Sequence, residues 1–536
     1  MKKLLLLGDE AIARAALDAG ISGMYAYPGT PSTEIMEYIQ SSDDAGRRKV
    51  HREWSANEKT AIEAALGMSY TGKRAMVAMK HVGLNVAADG FINAAITGVN
   101  GGLVVVSADD PSMHSSQNEQ DSRFYAKFAS VPCFEPSDQQ EAYEMIFDAF
   151  EASEKYKLPV LFRITTRLAH SRANVEVRDS IPEKKISLPS DPLQFVLLPA
   201  IARKRYRNLL LVYDSLKYDI RISRYNKYQD GTRRQLGIIA CGIAYNYLME
   251  NLNSFSDIPI LKISSYPFPA DLIKDISSRC EELLILEEGA PVIEELIRGL
   301  PERGLTVLGR LDGTIPRDGE LNPAIVAKAL GLPVKKGLPV PEIVRMRPPS
   351  FCKGCGHSDM FNALVEAINP YGPGRVFSDI GCYTLGALPP YNAINSCVDM
   401  GASVTMAIGA ADAGLFPSVA VIGDSTFTHS GMTGLLDAVT KNSPVTIIIS
   451  DNSTTGMTGG QQSKATGRLE KICLGIGVDP EHLKLISPLR KNHDENVAAM
   501  KHEFAHKGVS VIIASRECIQ TASKRKKTEK AHSDEE

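Results

Sequence analysis

The chain lacks any apolar run near the roughly 18 residues that a membrane-spanning helix needs, so no span is expected. It also lacks an excess of one charge: Lys and Arg number 60 and Asp and Glu 63, for a net −3 over 536 residues. That balance gives no reason to expect nucleic acid or an anionic membrane as the main partner. A secretory leader is not expected either. Met1-Lys-Lys and Leu4–Leu7 begin like one, but Gly8-Asp9-Glu10 ends the apolar run after four leucines, which predicts a first strand instead. The nine cysteines are an odd number in a large chain without an export signal. Disulfides are therefore not expected, metal or redox roles come first, and the expected compartment is the cytoplasm.

What is present is an ordinary globular composition, 43% hydrophobic and 23% charged. The length suits about three or four domains. The most informative stretch is Val419–Gln461. An apolar strand, Val419–Ile422, ends in Gly423-Asp424-Ser425; a helix follows over roughly 431–442; a second apolar strand, Val445–Ile449, ends in Asp451-Asn452-Ser453-Thr454. This is a crossover between parallel strands, with both polar motifs at strand carboxyl ends, where ligands bind in open α/β sheets. Gly423 allows close backbone approach. Asp424, Asn452 and the Thr454 carbonyl offer hard oxygen donors that suit Mg²⁺, and helix-start amides suit the phosphate the ion would hold. The alternative is an ordinary turn and cap in a nucleotide-type fold.

Leu4–Leu7 reads as a strand and Asp9–Ala19 as a helix, followed by a strand at Met24–Tyr27 and the loop Pro28-Gly29-Thr30-Pro31-Ser32. Ser32 or Thr33 can cap the next helix, with Glu34 in its first turn. Thr30 thus sits on a strand-end loop, a place for a ligand contact or a plain turn. Glu58 opens the helix that runs on through Lys59–Gly72. It either completes a capping box with Ser55 or serves as a buried, proton-holding carboxylate. His81 follows the strand Ala75–Met79 and is either a proton-transfer group or structural. The expected boundaries are 1–180, an irregular basic connection over 181–235 with one strand at Leu209–Val212, a smaller α/β domain over 236–335, a linker over 336–350, a last domain over 351–520, and a disordered charged tail over 521–536. Cys241 and Cys280 are expected to be buried hydrophobes.

In the last domain, Cys352-x-x-Cys355 suggests zinc, an iron–sulfur cluster or a thiol pair, and His357 is the nearest further zinc ligand. A different grouping is preferred. Cys382 and Cys518 each follow a predicted strand at the face of Asp424, and with Cys352 and Cys355 they could surround one [4Fe–4S] cluster. A third reading has the loop only packing on a cofactor. Cys397 and Cys473 fall in predicted helical ground and are read as core.

Taken together, YPGTPSTE at 27–34, EWSANEKTAIEAA at 53–65, MKHVGLNVAAD at 79–89, FCKGCGH at 351–357, DIGCYTLG at 379–386, GDSTFTHSG at 423–431 and DNSTTGMTGGQ at 451–461 make the chain resemble the 2-oxoacid:ferredoxin oxidoreductases. The likeness is strongest to the α subunits of the indolepyruvate type. It implies an α/β fold of several doubly wound, mostly parallel sheets: a pyrimidine-binding domain, a transketolase-C-like middle domain and a diphosphate-binding domain. It further implies thiamine diphosphate and Mg²⁺, with Glu58 activating the pyrimidine and Thr30 and His81 near substrate. Asp424, Asn452 and Thr454 would hold the metal, and Gly356, His357, Gly381, Met400, Gly401, Gly423 and Ser425 would line the cofactor. In relatives with a cluster, its ligands match Cys352, Cys355, Cys382 and Cys518. The implied reaction converts aryl pyruvates and coenzyme A to aryl-acetyl-CoA with electrons passed to ferredoxin, alongside a β subunit and a second α subunit. A non-redox 2-oxoacid decarboxylase is the alternative. The family's ferredoxin-like domain, with its two runs of cysteines, is expected to lie outside this chain, because only Ile-Gln-Thr-Ala-Ser and the charged tail follow Cys518.

Overall fold

Continuous apolar runs, not alternation, mark the central strands. Ala75–Lys80, Leu103–Asp109 and Val160–Thr165 are buried at every position, as parallel strands covered on both faces must be. A computed structural model describes residues 2–251, 257–299, 305–334, 337–345 and 349–533. They form two compact units, Met1–Leu338 and Pro339–Glu536.

The first unit is built on a seven-stranded sheet. Six strands are parallel: Gly23–Ala26, His51–Trp54, Ala75–Lys80, Leu103–Asp109, Cys133–Phe134 and Val160–Thr165. Numbered along the chain, they lie in the order 2-1-3-4-6-5. The short strand Ser265–Tyr266 joins the far edge antiparallel. A second sheet of five strands orders Thr306–Leu308, Glu282–Leu286, Leu236–Cys241, Ile260–Ile263 and Lys227–Gln229. The expected first strand exists as Lys2–Leu7 but stays out of the main sheet, pairing antiparallel with Arg172–Val177.

The second unit has a six-stranded, all-parallel sheet made of Val376–Ser378, Ser396–Cys397, Ser418–Gly423, Val445–Asp451, Leu483–Ile486 and Ser510–Ser515. Its order along the chain is again 2-1-3-4-6-5. In both sheets the order reverses between the first and third strands, and ligands bind beyond the carboxyl ends at such a switch point. In the first unit that point carries the Tyr27–Ser32 loop and Lys80-His81. In the second it carries Asp379–Cys382 and Gly423-Asp424.

Three expectations are corrected. Residues 181–235 are not irregular throughout, and Leu209–Val212 is no strand: Pro199–Arg221 is one helix. Leu209, Leu216 and Ile220 are its buried residues, a helical stripe within which four consecutive apolar residues imitate a strand. The charged tail is helical over Ile519–Ser533. Its start is docked, since the Cys518 N–H donates to the Asn452 carbonyl at 3.1 Å, and its Lys, Arg and Gln are good helix formers. Cys397 lies in a strand and is exposed, whereas Cys473 is helical and buried. Parts of the linker (335–336 and 346–348) and the last three tail residues fall outside the described residues; the described part of the linker holds neither helix nor strand.

The two sheets of the first unit are joined by buried charge. Arg163 binds Asp109 (2.6 Å), Glu135 and the Glu288 carbonyl (2.8 Å). Arg123 binds Asp121 and, at 2.9 Å, Glu287. Removing one partner leaves the others buried and uncompensated. Arg163→Met is therefore expected to destabilise the first unit by about 3–5 kcal/mol, read as a lowered denaturation midpoint in urea.

Candidate functional site

In the second unit, Gly423 ends its strand and Asp424 begins the next turn. The expected helix is Met432–Lys441, reached through a π-helical turn at Phe427–Gly431. Such turns cluster at functional sites. The two motifs read from the sequence, 28 positions apart between Asp424 and Asn452, are adjacent: Ser425 Oγ lies 2.9 Å from Thr455 Oγ1. Asn452 Oδ1 accepts the Thr454 N–H at 3.1 Å, and the buried Thr454 starts a short hairpin, Thr454–Thr455 with Gln461–Gln462.

Asp424 is 2% exposed, and its Oδ2 has no hydrogen-bond partner among the described residues. Burial pushes its pKa up to about 7, against a smaller lowering by Ser463. A carboxylate so placed needs a cation. Asn452 and Thr454 lie on the segment that Ser425 contacts through Thr455, and their amide and carbonyl oxygens with the Asp424 carboxylate make an all-oxygen donor set of the kind that suits Mg²⁺.

Backbone freedom around Asp424 is used by one ring. A Cβ on Gly381 or Gly423 would sit 2.2 or 2.5 Å from the Tyr383 ring. The Tyr383 hydroxyl donates to Asp379, which also accepts the Gly401 N–H (3.1 Å), the Ser403 N–H (3.3 Å) and the Ser403 hydroxyl (2.6 Å). Gly401 adopts φ +97°, and a Cβ there would strike Ser430. Met400 is half-buried just before it. Asp379 and Tyr383 went unremarked as site residues in the sequence. The available signal was Asp379 before a glycine at a strand end, the same grammar as Gly423-Asp424.

Cys352, Cys355, Cys382 and Cys518 all line one cavity of about 340 Å³, with Asn452 on the same wall. Burial and then the neighbouring thiols push the Cys382 pKa up to about 11. A Cβ on Gly456 would lie 3.2 Å from Cys382 Sγ. His357 is 3.1 Å from Cys355 Sγ through Nδ1, is stacked on Phe351, and is held by burial at a pKa of about 4, a neutral partner for the thiol. Gly356 opens the helix behind it and packs under Arg516. Four thiols around one cavity fit a cubane cluster.

In the first unit, Glu58 is buried and begins the helix Glu58–Tyr70. The capping box with Ser55 does not form. Asn57 is the cap, its side chain accepting the Thr60 N–H at 2.8 Å. The Glu58 carboxylate lies against Gly83, where a Cβ would be 2.5 Å from Oε1. His81 is buried two residues earlier, at the start of the helix His81–Thr97 that carries Gly83. Its Nε2 lies 3.2 Å from the Asn118 carbonyl, and its Nδ1 has no partner among the described residues. The Thr30 carbonyl accepts the Ser115 hydroxyl at 3.2 Å, and Lys80 Nζ donates to the Ser115 carbonyl at 2.6 Å. Burial lowers the Lys80 pKa to about 8. Lys80 was passed over in the sequence, although it sits at a strand's carboxyl end.

Burial, partly offset by Ser403 and Tyr383, raises Asp379 to about 6. A carboxyl raised on folding stabilises the protein below its unfolded pKa, and that contribution fades as pH climbs to the folded value. The melting temperature of wild type relative to Asp379→Asn is thus expected to fall between about pH 4 and 6, as followed by calorimetry across that range.

The family model described as pyruvate flavodoxin/ferredoxin oxidoreductase, thiamine diP-binding, matches residues 14–196. That of the C-terminal TPP-binding domain of thiamine pyrophosphate enzymes matches residues 379–514. Subunit IorA of indolepyruvate oxidoreductase from Archaeoglobus fulgidus is 40% identical over 560 residues, covering 98% of this chain and 88% of its own length. Its counterpart from Methanothermobacter thermautotrophicus is 40% identical over 544 residues, covering 96% and 87%. Among solved structures, the 2-oxoglutarate:ferredoxin oxidoreductase from Magnetococcus marinus matches with a TM-score of 0.51 at 16% identity, over 61% of this chain and 65% of that one, a likeness of fold. By identity sustained over nearly its whole length, the chain belongs to the family of indolepyruvate oxidoreductase IorA subunits.

Proposed function

We propose that this chain is the catalytic α subunit of an enzyme that oxidatively decarboxylates indolepyruvate and related aryl pyruvates to aryl-acetyl-CoA, with ferredoxin accepting the electrons. It works with a β subunit. The observation that carries this reading is Asp424 Oδ2, a buried carboxylate oxygen without a partner at the switch point of a parallel sheet. Asp424, Asn452 and the Thr454 carbonyl would hold a Mg²⁺ ion together with the diphosphate of thiamine diphosphate. Bound there, that cofactor supplies the electron sink that lets a 2-oxoacid lose carbon dioxide.

The protein's own part is positioning and proton control. Glu58 holds the proton at the pyrimidine nitrogen. His81 offers its Nδ1 to the substrate, and Thr30 meets the substrate on a loop braced by Ser115 and Lys80. Ser425, Gly381, Gly401 and Met400 shape the cofactor's bed, and the ring of Tyr383 under Gly423 keeps water out of it. The four thiols that line one cavity with Asn452 would hold a [4Fe–4S] cluster, which would supply a one-electron acceptor there. The relatives' naming as oxidoreductases supports this over a non-redox decarboxylase.

Two measurements test the reading. Assayed with its β subunit, indolepyruvate and a viologen acceptor, Glu58→Gln is expected to lose about 100-fold or more in kcat with little change in thiamine diphosphate affinity; wild-type turnover sinks the role. The anaerobically purified chain is expected to carry about four irons and as many sulfides, both depleted by Cys382→Ser. Iron-free protein that still reduces the viologen removes the cluster.

A further inference from the structure

One buried cluster of the first unit is left out of this chemistry. Asp9 lies in the first turn of the helix Gly8–Asp18, Glu34 in the first turn of Thr33–Ser41, and His170 at the end of Thr166–His170. Each offers a ligating atom, and the three atoms all lie within 4.8 Å of one another. Among the described residues, no other three His, Cys, Asp or Glu side chains meet this closely.

Asp9 is the unusual member. It is 0% exposed, and neither carboxylate oxygen has a hydrogen-bond partner among the described residues. Glu34 Oε2 has none either, and His170 Nε2 lies 3.5 Å from it. The adjacent Glu10, which accepts the Leu7 N–H at 2.8 Å, adds negative charge beside Asp9. Two carboxylates against one imidazole leave the pocket short of positive charge. A buried, unbonded carboxylate costs several kcal/mol unless something compensates it.

We propose that Asp9, Glu34 and His170 bind a divalent transition-metal ion, with Zn²⁺ the best match. Zinc accepts carboxylate oxygen and imidazole nitrogen, and its open sites combine three protein ligands with a water. The imidazole argues against Mg²⁺ and Ca²⁺, which prefer all-oxygen shells. The Glu34 and His170 side chains are 35% and 34% exposed, while Asp9 forms the dry floor. The ion would clamp three helix ends. One of them starts directly after the Thr30 loop, whose Gly29 N–H donates to Thr33 Oγ1 at 3.1 Å, so the metal braces that loop from behind.

The test uses full-length protein purified anaerobically and loaded with thiamine diphosphate and Mg²⁺. It is equilibrated with Zn²⁺, desalted, and read by elemental analysis and zinc K-edge absorption. Wild type is expected to retain one zinc with a nitrogen and oxygen shell and to melt higher with zinc than without. Asp9→Asn and His170→Gln are each expected to lose that zinc and the melting shift. Equal zinc in wild type and both variants, or a shell of sulfur alone, overturns the site. In zinc-free protein Asp9→Asn is expected to melt no lower than wild type, because the amide removes a buried charge. Should it fold poorly, His170→Gln, at a partly exposed position, decides the outcome alone.

Discussion

A carboxylate shut away from water with one oxygen left unbonded is the constraint around which the second unit is arranged. Asp424 is placed there by a strand whose six residues are all buried and by a turn that points it into the sheet's switch point. Ordinary folding would reject such a group or pair it with an arginine. Here the surroundings are held open. Glycines at 381 and 423 admit one ring, and Ser425 ties the turn to the segment that carries Asn452 and Thr454. Asp379, at the end of the neighbouring strand, is the contrast. It is equally buried but satisfied by two backbone amides and two hydroxyls. One carboxylate organises the fold and the other waits for a ligand.

The same strand order serves two different tasks. In the first unit, the loops at the reversal carry Thr30, Lys80 and His81, groups suited to moving protons and meeting a small acid. In the second, they carry hard oxygens and thiols. Parallel sheets of this order place their loops at one rim whatever the loops contain, so the architecture fixes where chemistry happens and the loops fix which chemistry.

Much of this was legible in the sequence. The Gly423-Asp424 and Asn452–Thr454 motifs read correctly because short apolar runs bounded by glycine and polar residues leave few alternatives to a buried parallel strand. The shared cavity of Cys352, Cys355, Cys382 and Cys518 followed from putting strand ends on one rim. Other features were hidden for physical reasons. Leu209–Val212 imitates a strand because four apolar residues in a row carry no periodicity of their own; the helix shows only when Leu216 and Ile220 are added. The cap of the Glu58 helix stayed open in the sequence because Ser55 and Asn57 are both good caps and only the backbone decides between them. Lys80 and Asp379 were missed since a lone charged residue at a strand end has no partner in sequence. The Asp9, Glu34 and His170 cluster joins residues from three helix ends, which no local pattern brings together.

The position of the Ser510–Ser515 strand has a consequence for biosynthesis. It inserts between Val445–Asp451 and Leu483–Ile486, and Cys518 reaches the cavity only from its end. A nascent chain that has made Cys352, Cys355 and Cys382 therefore still lacks the part of the cavity lining that Cys518 supplies. Sheet completion is the ratchet: the fourth thiol joins the other three only once the interior strand Ser510–Ser515 is in place.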